Sequence, residues 1–157
     1  MRFVGRYEHS LDAKGRIILP ARYRTSFDTV AYISKYTERC LALWPPEAFE
    51  QKLDEMEAIF DRTASDRSMV RAFASGSTDV ELDRQGRVAI PSYLREYAHL
   101  ESAVLIHGAI NHIELWDPEE WNISGVPGDA ELADPASSLP RLSSDAPRPD
   151  QPSPSGE

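Results

Sequence analysis

The sequence predicts an α+β protein in which β-strands dominate and two copies of one repeat share the chain. The first copy of the main motif runs from Asp12 to Pro20 and reads D-x-x-G-R, three largely apolar residues and Pro; the second runs from Asp83 to Pro91. Another motif, L-W-x-P, begins at Leu43 and returns at Leu115. Two motifs that recur in the same order at nearly the same spacing indicate an internal duplication.

Each copy of the main motif predicts a tight turn. Asp at the first position and Gly at the fourth favour a type I turn, because the Asp side chain accepts hydrogen bonds from nearby amides and Gly adopts a positive φ. Residues 7–11 and 16–19 flank the first turn, which predicts a hairpin with a glycine bulge. We therefore expect structural roles for the turn residues Asp12, Gly15, Asp83 and Gly86.

The strand after each turn predicts an arginine that faces outward. In the second copy, apolar alternation places Val88 and Ile90 in the core and Arg87 outside. The same parity in the first copy buries Ile17 and turns Arg16 outward. Each repeat is therefore expected to present an arginine from a rigid hairpin.

The remaining elements follow in the same order in both halves. Pro20 and Pro91 fit the first turn of a helix, so helices are predicted over residues 21–26 and 93–97. Apolar or alternating runs predict strands over residues 30–34, 40–44, 80–82, 104–107 and 112–116. Helical spacing of apolar residues predicts an amphipathic helix over 47–60 and another over 66–74 that Gly76 ends. Four aromatic residues are expected to anchor the core: Trp44, Phe49, Trp116 and Trp121.

Composition divides the chain into four predicted segments. From residue 125 onward the sequence is rich in Pro, Ser and acidic residues and has no aromatic residue. Such a composition cannot bury enough apolar surface to offset chain entropy. We predict a first repeat at 5–50, a helical connector at 51–76, a second repeat at 77–122 and a disordered, Pro-rich acidic tail at 125–157.

Length, cysteine content and charge limit the class of protein. A chain of 157 residues can bury a core as one domain or two small ones. The single cysteine, Cys40, excludes an internal disulfide framework and suits a reducing cytosol. No apolar leader or run of transmembrane length is present, so we expect a cytoplasmic protein without a membrane partner. The net charge of −9 argues against nucleic acid, but the first 24 residues are net basic.

The arginines of the two turns have two interpretations. A rigidly held guanidinium suits a phosphate or a guanine edge, because both require a planar fork of donors. Alternatively, Arg16 pairs with Asp12 or Asp83 and only steadies the turn. Nearby basic residues favour the first interpretation for Arg16, whereas acidic neighbours weaken it for Arg87.

Catalytic and metal sites are less consistent with the sequence. The repeat could bring Asp12 and Asp83 together as an aspartic dyad, but each is followed by Arg rather than by a small hydroxyl residue. His107, His112 and Glu114 lack a convincing spacing for a metal site, and surface histidines explain them better. We therefore predict no enzyme activity, no metal site and no cofactor.

Both copies of the main motif, together with Phe3-Val4-Gly5-Arg6-Tyr7 near the start, resemble the MraZ family of transcriptional regulators. That family carries two SpoVT-AbrB repeats, and the resemblance covers about residues 1–122. It implies a pseudo-twofold, swapped-hairpin (AbrB-like) β-barrel with helices between and after the repeats. It also implies bacterial origin, ring-like homo-oligomers and binding to repeated sites on double-stranded DNA upstream of the division and cell-wall gene cluster, which includes the regulator's own gene.

By position, the resemblance implies that the DNA-contacting face contains Lys14, Gly15, Arg16 and Arg87. The second copy departs from the first, with Arg84 and Gln85 at the positions of Ala13 and Lys14.

The sequence therefore predicts a sequence-specific DNA-binding transcription regulator in the cytoplasm, associated with the nucleoid. Arg16 is the candidate for base recognition, with Lys14, Arg22 and Arg24 as phosphate contacts. Two alternatives remain: an interaction module that oligomerises through the helix over 47–60 without binding DNA, and an antitoxin-like protein of the same fold.

Overall fold

The computed structural model describes residues 2–125 and 128–136. The strands of this described part are β1 (Arg6–Ser10), β2 (Arg16–Ile18), β3 (Val30–Lys35), β4 (Leu41–Trp44), β5 (Thr78–Glu81), β6 (Arg87–Ala89), β7 (Ala103–Gly108) and β8 (Ile113–Trp116). The helices are α1 (Ala21–Arg24), α2 (Pro46–Ile59), α3 (Ala64–Gly76), α4 (Ser92–Tyr97), α5 (Pro118–Ser124) and α6 (Gly128–Ala133). The predicted α+β class with two repeats is confirmed.

The two repeats are interleaved. A six-stranded sheet has the order β1-β7-β8-β4-β3-β5, and β2 and β6 form a separate two-stranded ribbon. Each strand of the first repeat pairs with one from the second, through β1–β7, β2–β6, β3–β5 and β4–β8. Since β1 and β5 are the edges of the sheet and each leads through a turn into the ribbon, the ribbon connects the two edges.

One sequence prediction about strand pairing is wrong. The first turn forms as expected, with Gly15 N–H donating to Asp12 C=O at 3.0 Å and Asp12 N–H donating to Arg16 C=O at 2.9 Å. Beyond these bonds the predicted hairpin does not continue, because β1 pairs with β7 and β2 pairs with β6. Period-two patterning shows which face of a strand is buried but does not identify its partner.

Several predicted helix boundaries move by a few residues. Pro20 and Pro91 are the N-cap residues of α1 and α4 rather than their first helical residues. Gly76 is the last residue of α3, and Ser77 is its C-cap. Helix α3 begins at an N-cap threonine, because Thr63 Oγ1 accepts a hydrogen bond from Asp66 N–H at 3.0 Å.

The sheet packs on both faces. One face meets the ribbon, α1 and α4 in the main core, which includes Ile17, Tyr23, Val88 and Leu94. The other, which we call the helix-covered face, meets α2 and α3 through Trp44, Phe49 and Phe73, and meets α5 through Leu105, Trp116 and Trp121. The predicted anchors Trp44, Phe49 and Trp116 are buried, and Trp121 is partly buried.

The described residues fall into two units, 2–125 and 128–136. In the second unit, Gly128–Ala133 forms the short, exposed helix α6. The rest of the predicted tail, from residue 137, lies outside the described residues. Within the described part of the chain, no helix is long and apolar enough to cross a membrane.

Candidate nucleic-acid interface

The β2–β6 ribbon has one buried face and one outward face. Its strands are antiparallel, with Arg16 opposite Ala89, Ile17 opposite Val88 and Ile18 opposite Arg87. Ile17 and Val88 are fully buried, whereas Ile18 and Ala89 are exposed and the two arginines are partly exposed. The outward face therefore has an arginine at each end, where each strand leaves its turn.

The two turns have matching backbone geometry. Asp12 Oδ1 accepts hydrogen bonds from Lys14 N–H and Arg16 N–H, both at 2.9 Å. Asp83 Oδ1 accepts from Gln85 N–H and Arg87 N–H, also at 2.9 Å. The fourth residue has positive φ in both turns, +73° at Gly15 and +75° at Gly86. The predicted role of the aspartates and glycines in the turns is thus visible in the structure.

The same aspartates hold the outward arginines. Arg16 Nε donates to Asp12 Oδ2 at 2.8 Å, and Arg87 Nε donates to Asp83 Oδ2 at 2.6 Å. The backbone N–H of each arginine, and then its guanidinium, lowers the pKa of the aspartate below its usual value. Within the described residues, the terminal nitrogens of these two arginines have no hydrogen-bond partner. The outer edges of the two guanidinium groups can therefore donate hydrogen bonds to a ligand.

A second pair of arginines crosses from one repeat to the other. Arg24 Nε donates to Leu19 C=O at 2.9 Å, and Arg95 Nε donates to Ile90 C=O at 3.1 Å. A Cβ on Gly15 would lie 2.9 Å from Arg95 Cζ, and a Cβ on Gly86 would overlap Arg24. Each helix arginine therefore covers the turn glycine of the opposite repeat.

Four arginines consequently surround the ribbon, and each is anchored through Nε. Arg16 and Arg95 lie at the first turn, and Arg87 and Arg24 lie at the second. Two carboxylates, those of Asp12 and Asp83, partly balance these four positive charges. The sites at the two ends are related by the internal repeat.

The other predicted site residues do not all join this group. Lys14 is exposed at the tip of the first turn. Arg22 points instead toward β1, where its Nη1 donates to Tyr7 Oη at 3.3 Å and its guanidinium lies over the Tyr23 ring. The structure therefore brings Lys14, Gly15, Arg16, Arg24 and Arg87 to the ribbon, and leaves Arg22 beside it.

Sequence reasoning missed Arg95. Arg95 lies 80 positions after Gly15 in the chain, but in the structure its guanidinium covers Gly15. Alignment of the two repeats could have identified Arg95, because it occupies the position in the second copy that Arg24 occupies in the first. Arg84 and Gln85 also lie exposed at the second turn, where sequence reasoning noted them only as departures.

The two histidines considered for a metal site pack against tryptophans of the helix-covered face, whereas Asp12 and Asp83 lie in the two ribbon turns. The His107 ring is tilted against Trp121 with ring centroids 4.1 Å apart, and His112 stacks on Trp44 at 4.4 Å. Burial lowers the pKa of both histidines to about 4. Both are buried, contrary to the expectation of surface histidines. Among the described residues no cluster of three or more His, Cys, Asp or Glu could hold a metal ion.

Comparison with known proteins identifies the family. A family model described as "MraZ protein, putative antitoxin-like" matches residues 2–71 and 73–124. The chain belongs to the MraZ family. The match spans both repeats, in agreement with the resemblance carried by their motifs.

Relatives within the MraZ family are similar over most of their length. The chain is 39% identical over 119 residues to the transcriptional regulator MraZ of Halothermothrix orenii, which covers 76% of this chain and 83% of that protein. It is 38% identical to the protein of the same name from Moorella thermoacetica, with the same coverage. The one from Heliobacterium modesticaldum is 36% identical over 135 residues, or 84% of this chain and 94% of that protein. These names describe regulators rather than enzymes.

Proposed function

We propose that this chain is a sequence-specific DNA-binding transcription regulator that acts without catalysis. The observation that carries the proposal is the outward ribbon with four arginines anchored through Nε. A two-stranded antiparallel ribbon fits the major groove of B-DNA, where base edges are distinguishable. Other DNA-binding proteins insert β-ribbons in this way.

The aspartate contacts support base recognition rather than opposing it. Asp12 occupies only Nε of Arg16, so the side chain is oriented while its terminal nitrogens stay available. An arginine held in advance loses less conformational entropy on binding, and its planar fork matches guanine O6 and N7. The ion pair and the DNA contact, which the sequence presented as alternatives, are therefore compatible. The same argument applies to Arg87.

The remaining cations are assigned to the DNA backbone. Lys14 extends from the tip of the first turn, and Arg24 and Arg95 flank the ribbon, so all three suit phosphate contacts that set register. Arg22, which donates to Tyr7, contacts a phosphate at the side of the ribbon. Gly15 is buried beneath the Arg95 guanidinium, so its missing side chain leaves room for that arginine and Gly15 supports the interface indirectly.

Net charge favours binding by an oligomer. The full chain has a charge of −9, so one protomer has weak and salt-sensitive affinity for a polyanion. Several protomers in a ring convert weak contacts into avidity when the DNA carries repeated sites. We propose repeated promoter sites upstream of the division and cell-wall gene cluster, including the gene for this chain, and a cytoplasmic, nucleoid-associated protein.

The first test is fluorescence anisotropy with the DNA upstream of the chain's own gene. Wild type, Arg16→Ala and Arg87→Ala are titrated at two salt concentrations against this DNA and a shuffled duplex. We expect each substitution to weaken specific binding by about 5- to 150-fold, the value of a good bidentate base contact. Arg67→Ala on α3 is the matched control, because it removes one positive charge from an element that packs on β3 and α2.

Two outcomes would contradict the proposal. If the wild type does not prefer its upstream DNA over the shuffled duplex, the proposed target is wrong. If it binds no duplex at moderate salt, DNA binding itself is wrong. Light scattering on the same sample tests the oligomer, since a monomer that binds single and repeated sites equally well would exclude avidity.

An antitoxin-like function is the second candidate, because the description of the matching family model includes it. It predicts that a small partner protein copurifies with the native chain and that removing the partner changes DNA affinity. Purification from the native host, followed by mass spectrometry, distinguishes the candidates. A single species in the purified sample favours the regulator alone.

A further inference from the structure

The two ends of the ribbon share a backbone but differ in chemistry. By the repeat, Lys14 corresponds to Gln85 and Ala13 to Arg84. The backbone N–H of each tip residue, Lys14 or Gln85, donates to the aspartate of its own turn at 2.9 Å. The two tips are therefore presented in the same way, and only their side chains distinguish them.

The Gln85 side chain has no structural role in the described part of the chain. It is exposed and makes no hydrogen bond there, whereas its backbone is held by Asp83. Two residues later Arg87 is held by the same carboxylate, so both side chains start from one rigid turn. A neutral amide at this position contributes little to phosphate binding, unlike the ammonium group of Lys14.

We propose that Gln85 is a specificity residue that recognises an adenine in the major groove, and that the first turn lacks this recognition. This inference rests on the proposed DNA binding. An amide can donate to adenine N7 and accept from the N6 amino group at once, which no other base edge permits in the same geometry. Lysine has donors only, so Lys14 cannot make this pair.

The position of the adenine follows from the turn. The two side chains leave the chain two residues apart, and because Gly86 between them has the positive φ of the turn, their Cα atoms lie closer than the about 7 Å that two extended residues would span. Base pairs are stacked about 3.4 Å apart. Gln85 therefore reads a base within about two steps of the base pair that Arg87 contacts.

The test uses a duplex that the wild-type protein selects from randomised DNA. Each adenine of the selected duplex is replaced in turn by 7-deazaadenine, which lacks the N7 acceptor and still pairs with thymine. We expect one replacement near the Arg87 contact to weaken wild-type binding by about 5- to 150-fold. Gln85→Ala binds the unmodified duplex more weakly and loses the sensitivity to that replacement.

Two further variants separate recognition from structure. Gln85→Glu keeps the shape of the side chain but only accepts hydrogen bonds, so repeated selection shifts the preference at that position from adenine to cytosine, whose N4 amino group donates. Lys14→Ala, the matched control, weakens binding to all sequences and reduces the salt dependence by about one phosphate contact.

Three results would overturn the inference. If Gln85→Ala and Gln85→Glu select the same sequence as wild type with equal affinity, Gln85 does not read a base. If the deaza replacements affect wild type and Gln85→Ala equally, another residue makes the contact. If wild type enriches no sequence at all, the proposed function fails, and this inference fails with it.

Discussion

The ribbon and the helix-covered face of the sheet differ in how far they keep the symmetry of the internal duplication. At the ribbon, the turn bonds, the positive φ values and the arginine anchors recur in both copies. On the helix-covered face, the first repeat is followed by α2, with 14 residues, and α3, whereas the second is followed by α5, with seven. One region preserves the internal symmetry and the other does not.

The difference follows from strand pairing. Strands β2 and β6 pair with each other, so a change in either turn alters the other copy through the shared ladder. Each turn glycine also packs under the arginine of the opposite repeat. Helices α2, α3 and α5 pack outside this exchange, so their lengths can differ while the sheet remains intact. Symmetry is therefore preserved at the ribbon, where the equivalent strands β2 and β6 pair with each other.

The largest expected effect separates stability from DNA binding. Trp44 is fully buried on the helix-covered face, and its Nε1 donates to Ser34 Oγ at 2.9 Å. Trp44→Ala should lower the free energy of unfolding by about 3–5 kcal/mol. Urea titration measures this loss. DNA affinity measured well below the unfolding midpoint should remain near the wild-type value, and a parallel loss of affinity would show that the two regions are coupled.

Acid should weaken the helix-covered face before it affects the ribbon. Burial lowers the pKa of both His107 and His112 to about 4. The charge of Arg6 adds to this effect at His107, and the charge of Lys52 adds to it at His112. The unfolded chain binds protons near pH 6.5 while the folded chain does not, so stability is lost as pH falls from 6.5 toward 4. We expect a loss on the order of 2 kcal/mol per histidine.

Urea titrations of wild type and His112→Phe across this pH range test the expectation. The variant should have a flatter pH dependence at a lower overall stability. The ribbon and its turns contain no histidine, so DNA affinity should change little between pH 8 and 6.5. An unchanged slope in the variant would contradict the role of His112.

The two turn glycines should differ in how well they tolerate substitution by alanine. Alanine at either site adopts a left-handed conformation, which costs roughly 1–2 kcal/mol. Gly86→Ala also displaces Arg24 from Leu19, while Gly15→Ala meets Arg95 less closely. We therefore expect Gly86→Ala to lose more stability and more DNA affinity. Thermal unfolding and anisotropy measure both, and a larger loss in Gly15→Ala would reverse the comparison.

The smallest effect concerns α2 and α5, the helices that directly follow the last strand of each repeat. Asp117 caps α5 by accepting from Glu119 N–H and Glu120 N–H at 3.1 and 3.2 Å, whereas Pro45 provides no side-chain cap for α2. Asp117→Ala should lower the free energy of unfolding by about 1 kcal/mol. Pro45→Ala, which removes no cap bond, is the control. Equal losses in urea titrations of the two variants would show that the cap contributes nothing.

Much of the fold was predictable because its determinants are local. The turns at Asp12 and Asp83, the buried parity of Ile17 and Val88 and the order of the elements follow from patterns within about ten residues. The family resemblance added the interleaving of the two repeats. The hairpin predicted between residues 7–11 and 16–19 failed because a strand with one apolar face fits several partners.

The candidate site was predictable only in part. The outward direction of Arg16 and Arg87 follows from strand parity, and Lys14 was implied by the resemblance to the MraZ family. Arg95 did not, because its contact with Gly15 joins positions far apart in the chain. Arg22 and Arg24 looked equivalent in sequence, but α1 directs one toward Tyr7 and the other over Gly86.

The sequence by itself determined the duplicated turns, the outward arginines and the membership of the MraZ family, since each depends on residues close together or on motifs that recur. Only the tertiary structure decided which strands pair and which arginine covers which glycine. Those contacts join distant parts of the chain, and their free energy depends on burial that no local pattern contains.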